Sequence, residues 1–208
     1  MQPCIDSLLT RLRPKIRAIV KLKHVFSVAN LLNQYKAHIW SKSEYHDGAL
    51  LIAGHIKLRK LDKMQRGFLY ELALNDKYAF LHFNFAPPSL RRAIGILGFL
   101  HNRILGKCHP ALAAVFPLRG DPANGPQPRQ LEPFFAEVRG HAALYNRFIY
   151  VYILIYNRLP QEITDSETVS AFQSRLTRLA KARAQQDESN LWRDAFQSCA
   201  DVVEMFYA

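Results

Sequence analysis

Lysine and arginine recur in this chain of 208 residues at intervals that would set their cations side by side. Arg13, Arg17 and Lys21 follow at four-residue steps, with His24 one short step beyond, so a helix would carry them as a row along one edge. Lys57, Arg59, Lys60, Lys63 and Arg66 form a second cluster. Arg91, Arg92, Arg103 and Lys107 form a third, in which Arg92 and Arg103 are eleven apart and return to one helical face. Each cation set against a phosphate releases counterions, with a salt slope of about −0.9 per contact on duplex DNA, so about six such contacts would govern affinity. The candidate phosphate ligands are Arg13, Arg17, Lys21, Arg59, Lys60, Lys63, Arg66, Arg91, Arg92 and Arg103. Tyr35, Trp40 and Tyr45 lie near these rows and offer ring faces to unpaired bases, although aromatics at helical spacing more often fill a core.

The charge is unevenly distributed. Residues 1–110 hold 18 Lys and Arg against 6 Asp and Glu, a net of +12, whereas residues 111–208 hold 10 against 11, a net of −1. A basic half joined to a neutral one points to a polyanion partner, either nucleic acid or an acidic membrane surface. A basic surface kept for solubility is the plain alternative. No helix-turn-helix, zinc finger or RNA-binding signature is present, so the rows imply backbone contact rather than reading of a base sequence.

Catalytic signatures are lacking. The chain has no Gly-rich phosphate loop, no His-Glu-x-x-His, no Cys-x-x-Cys and no nucleophile elbow, so no catalytic residue and no cofactor is assigned. His38, His46 and His55 are eight and nine apart, and Cys108 with His109 has no further ligand nearby, so no metal site is expected either. All-helical ribonucleases of the HEPN type carry an Arg and, after four to six residues, a His. Arg17 with His24 and Arg103 with His109 fit that spacing, but 17 Arg and 8 His in this chain supply about two such matches by chance. A dimer placing two Arg103–His109 pairs across a cleft would have the groups for general acid–base attack on a phosphodiester.

The elements that must carry these residues follow from apolar spacing. Ile5, Leu8, Leu9 and Leu12 predict a short helix that stops before Pro14, with Pro14 opening the next. Ile16, Ile19, Val20, Phe26, Ala29 and Leu32 then continue an apolar face toward Trp40. Gly48 opens an apolar segment to Leu58, and Asp62 with Gln65 reads as the start of a helix over 63–74 that buries Met64, Phe68, Leu69 and Leu72. The aromatics Tyr78, Phe80, Phe83 and Phe85 match neither period, so a helix end and one short strand near 78–85 both fit. Ser89 caps a helix over 90–107, with Ile94, Leu97, His101, Ile104 and Leu105 inward and Gly95 and Gly98 permitting close approach.

The stretch from Pro117 to Pro128 holds four prolines and two glycines in twelve residues and reads as a loop or linker. The organisation expected is a basic, polyanion-binding half over 1–116, a linker over 117–130 and a near-neutral half over 131–208, either separate from the first or sharing its core. Phe134, Val138, His141, Tyr145, Phe148, Tyr152 and Ile155 predict a long central helix over 132–158. It contains two Tyr-Asn-Arg copies, at 145–147 and 156–158, around the uncharged run Phe148–Tyr156. Those nine residues are about half of the roughly 20 needed to cross a bilayer. Thr164 with Glu167 suggests a capping box for a helix carrying Val169, Phe172, Leu176, Leu179 and Ala180. A last helix carries Leu191, Ala195, Cys199, Val202 and Phe206.

The fold class expected is all-α, a compact bundle of about seven or eight helices. The N-terminus lacks the order of a secretory signal, and Cys4, Cys108 and Cys199 suggest no disulfide framework, so a soluble cytoplasmic protein without a transmembrane segment is expected. The leading functional expectation is a non-enzymatic nucleic-acid-binding subunit of a larger nucleoprotein assembly, contacting other protein subunits through its C-terminal helices. The alternatives are an accessory protein at an acidic membrane surface or in a secretion or conjugation assembly, and a metal-independent HEPN-like ribonuclease.

Overall fold

A computed structural model describes residues 2–44, 55–110, 116, 118, 148–186 and 191–198. Their regular structure is helical throughout, with no β-strand among the described residues, so the all-α class stands. The chain forms two compact units, Met1–Ser89 and Leu90–Ala208. The Pro- and Gly-rich stretch 117–130 lies outside the described residues except for Leu118.

In the first unit, helix α1 (Gln2–Lys21) buries Ile5, Leu8, Leu9, Leu12, Ile16 and Ile19 along one face. The break expected before Pro14 does not occur, because Pro14 and Thr10 both lie on the exposed side. The Thr10 carbonyl that Pro14 leaves without a helical donor therefore faces water, and the buried face continues past it unbroken. After a 3-10 turn at Leu22–His24 the expected apolar face ends, since Val25 and Phe26 are exposed. Ser27 caps α2 (Val28–Tyr35) by accepting the Asn30 N–H at 3.4 Å. A π-turn at Lys36–Trp40 and a last turn at Ser41–Ser43 extend α2. The wider turn holds Tyr35, Ile39 and Ser43 on one buried line.

Helix α3 (His55–Glu71) runs through Asp62, so the helix start expected there is not used. Leu58, Leu61, Gln65, Phe68 and Leu69 form one buried face across that position, and burial outweighs a local capping signal. The residues around 78–85 form no strand: α4 (Asp76–Phe83) is bounded by Asn75, which accepts the Tyr78 N–H at 2.6 Å, and by Asn84 in the left-handed region at φ 51°. Phe85, just beyond, enters an aromatic cluster. Tyr35 stacks on Phe68 at 4.4 Å, and Trp40 stacks on Phe85 at 4.8 Å. Buried Gln65 serves both sides of this cluster, accepting from Trp40 Nε1 at 3.1 Å and donating to the Ala86 carbonyl at 2.9 Å.

Helix α5 (Pro88–Ile104) begins at the end of the first unit and belongs otherwise to the second. It buries Leu90, Ala93, Ile94, Leu97, Leu100 and His101, and Gly106 in the left-handed region (φ 70°) ends the turn that follows. Of the expected central helix, α6 (Phe148–Asn157) is described, and residues 132–147 lie outside. Tyr152, Ile153, Ile155 and Tyr156 are buried, as a helix apolar on most sides requires. After α7 (Gln161–Thr164), α8 (Val169–Gln186) starts at Thr168, whose hydroxyl accepts the Ala171 N–H at 3.1 Å. The capping box expected at Thr164 is not the start because Thr164 is buried inside the preceding turn.

Phe172, Leu176, Ala180 and Ala184 line α8 at four-residue steps. Gly98 faces α8 so closely that a methyl there would collide with the Gln173 side chain, whereas Gly95 is open. Of the expected last helix only residues 191–198 are described, as a 3-10 turn at Leu191–Asp194 followed by Phe196 at φ 66°; Cys199 and the residues after it lie outside the described set. Among the described residues no helix is long and apolar enough to cross a membrane.

Candidate nucleic-acid interface

Arg59, Lys63, Arg66 and Tyr70 follow on α3 at steps of four, three and four, which keeps them within about 60° of one another around the helix. All four are exposed, opposite the face that buries Leu58, Leu61, Phe68 and Leu69. Both acidic residues of α3 fall off the row: Asp62 is half-buried about 40° to one side, and Glu71, exposed at the last position, lies about 80° to the other. Gly67 adds no side chain beside it, and the space around it is open.

Helix α1 supplies a second row. Arg13, Arg17 and Lys21 are exposed, and Asp6 shares with Arg13 and Arg17 an edge about 40° wide. Asp6 accepts a charge-paired hydrogen bond from Lys60 of α3 at 2.6 Å, with side-chain exposures of 46% and 44%. A pair this open contributes roughly 0–1 kcal/mol, so its main consequence is positional: it marks the α1 edge nearest α3 and neutralises Lys60. Arg13, Arg17, Lys21, Arg59, Lys63 and Arg66 meet no acidic side chain among the described residues. Lys15, on the other edge of α1, lies beside Lys42. Its pKa is lowered first by the hydrogen-bonding approach of the Lys42 side chain, then by desolvation and by the Lys42 charge. The first unit holds 14 Lys and Arg against 6 Asp and Glu over residues 1–89, so the rows sit in a positive surround.

The third group behaves differently. Arg91, Arg92 and Arg103 are half-buried, all within the second unit except for the start of their helix. Arg103 Nε donates to the Phe116 carbonyl at 2.7 Å. The Tyr152 phenol is pushed up by burial, and the nearby Arg92 charge offsets part of that rise. His109, the other half of the Arg-His spacing, is exposed.

The stacking candidates also separate. Tyr35 is buried in the aromatic cluster, Trp40 is half-buried with its N–H used by Gln65, and Tyr45 lies outside the described residues. Among the described residues the most exposed aromatic is Tyr70, at 83%, which follows the α3 cations; Phe26, at 47%, lies beyond the α1 row. Sequence reasoning passed over Tyr70, although its i+4 step from Arg66 and i+7 step from Lys63 were legible. Comparison with protein-family models, with curated proteins and with solved structures finds no match to this chain.

Proposed function

We propose that the first unit binds the phosphate backbone of nucleic acid through Arg13, Arg17 and Lys21 of α1 and Arg59, Lys63 and Arg66 of α3, without catalysing a reaction on it. The observation that carries this reading is the set of exposed cations on two helices joined by the Lys60–Asp6 pair, none of them met by an acidic side chain among the described residues. Cations held along rigid helices lose little freedom on meeting a regular array of phosphates, and counterion release supplies the affinity. The half-buried Arg91, Arg92 and Arg103 contribute less, because burial limits their reach, Arg103 spends a hydrogen bond on the Phe116 carbonyl and the Arg92 charge acts on Tyr152. The less charged second unit provides the contacts with other subunits of an assembly.

Fluorescence anisotropy with labelled single-stranded and duplex oligonucleotides over a salt series tests the reading. Affinity is expected to fall steeply with salt, and the Arg59→Gln/Lys63→Gln/Arg66→Gln variant to flatten the slope by about 2–3 units. An affinity indifferent to salt, or a variant indistinguishable from the parent, rejects it. A second reading, an acidic membrane surface, is favoured by exposed Leu22, Val25 and Phe26 beside Lys21 and Lys23. Flotation with vesicles rich in anionic lipid separates it from the first.

A further inference from the structure

Resting on that reading, we infer that the α3 row selects nucleic acid with unpaired bases and that Tyr70 is the residue on which one of them stacks. Tyr70 is 83% exposed, more open than the other exposed large hydrophobic side chains of the described residues. Its side chain makes no ring contact and no hydrogen bond among the described residues, and its backbone carbonyl accepts from the Ala73 N–H at 3.0 Å. It continues the Arg59–Lys63–Arg66 row at the next four-residue step, about 6 Å further along the axis. A strand whose phosphates follow the three cations therefore brings a base to the phenol ring.

In a duplex both faces of each interior base are already covered, so the ring has nothing to stack on. In a single strand, base–aromatic stacking adds to the phosphate contacts and is indifferent to base identity. The neighbouring Gly67 leaves the approach to this side of the helix unobstructed. Tyr35 and Trp40 do not compete for the role because they are packed against Phe68 and Phe85.

The test compares the parent protein with Tyr70→Ala and Tyr70→Phe on three probes: a single-stranded oligonucleotide as DNA and as RNA, a blunt duplex of the same length, and inorganic polyphosphate. Tyr70→Ala is expected to weaken single-strand binding about 5- to 150-fold, as loss of one stacked base does. Duplex and polyphosphate binding should change less than about twofold, since the charge contacts persist. Tyr70→Phe should restore the single-strand affinity because the ring, not the hydroxyl, stacks. Circular dichroism on both variants excludes unfolding as the cause. Single-strand affinity unchanged in Tyr70→Ala, or an equal loss on polyphosphate, overturns the inference while leaving phosphate binding in place. Binding of none of the three probes overturns both.

Discussion

His101 Nδ1 lies 2.8 Å from the hydroxyl of Tyr156, across 55 residues of sequence, while its Nε2 lies 2.9 Å from the Ser166 carbonyl. A carbonyl only accepts, so Nε2 carries the proton and donates; in the neutral ring Nδ1 then accepts the Tyr156 O–H. Phe172 stacks on the imidazole at 4.2 Å with planes 6° apart, so α5, α6 and α8 meet at this one fully buried side chain. Tyr156→Phe would leave a buried nitrogen without its donor and should cost about 1–3 kcal/mol in urea unfolding. The double-mutant cycle with His101→Leu should show a coupling of about 0.5–3 kcal/mol, because the two groups share one hydrogen bond. Additive losses would mean the bond contributes nothing beyond packing.

The Lys60–Asp6 pair predicts a gain of binding. Asp6→Asn removes the acid that neutralises Lys60 and leaves the edge shared with Arg13 and Arg17 wholly positive. Thermal stability should fall by at most about 1 kcal/mol, as for other open pairs. The salt slope for oligonucleotide binding should steepen by about 0.7–0.9, the value of one added phosphate contact. A slope unchanged in Asp6→Asn would place Lys60 away from the bound strand.

Pro14 sits in mid-helix on the exposed side of α1. Pro14→Ala restores an N–H for the Thr10 carbonyl. A helix-interior proline costs about 3 kcal/mol relative to alanine, and the freer unfolded chain of the variant returns roughly 1 of that. Chemical denaturation should therefore show a stabilisation of about 2 kcal/mol. A loss of stability would mean that the proline shapes the α1 axis to fit the core.

Tyr152 predicts an alkaline weakness. Burial raises the pKa of its phenol from an ordinary value of 10.0, and the Arg92 charge offsets only part of the rise. Above pH about 10 the unfolded chain releases this proton while the folded one keeps it, so the stabilisation is full below that pH and declines as pH rises toward the folded value. Relative to the parent, Tyr152→Phe should gain up to about 1.4 kcal/mol per pH unit beyond 10. Parallel stability curves from pH about 9 to about 11 would contradict this.

The amino-acid sequence alone determined the helical class and most of the inward faces, because a 3.6-residue period is a local property that each segment carries by itself. Leu8, Leu9 and Leu12, Phe68 and Leu69, and Leu97 with His101 were legible in this way, and so was the concentration of charge before residue 111. The exposure of Arg59, Lys63 and Arg66 follows from the same period, since they lie opposite those apolar positions. Tertiary structure decided what local signals cannot weigh. Pro14 and Asp62 are punctuation in a peptide, yet burial of a continuous face carries a helix through each of them. Tyr35, Trp40 and Tyr70 are alike as residue types, but two find aromatic neighbours from distant segments and one stands exposed, with no ring contact among the described residues. The Lys60 charge is likewise met by an aspartate 54 residues away, and Arg103 is tied to the carbonyl of Phe116. Which side chains remain available to a partner depends on contacts between remote parts of the chain, and those exist only once it is folded.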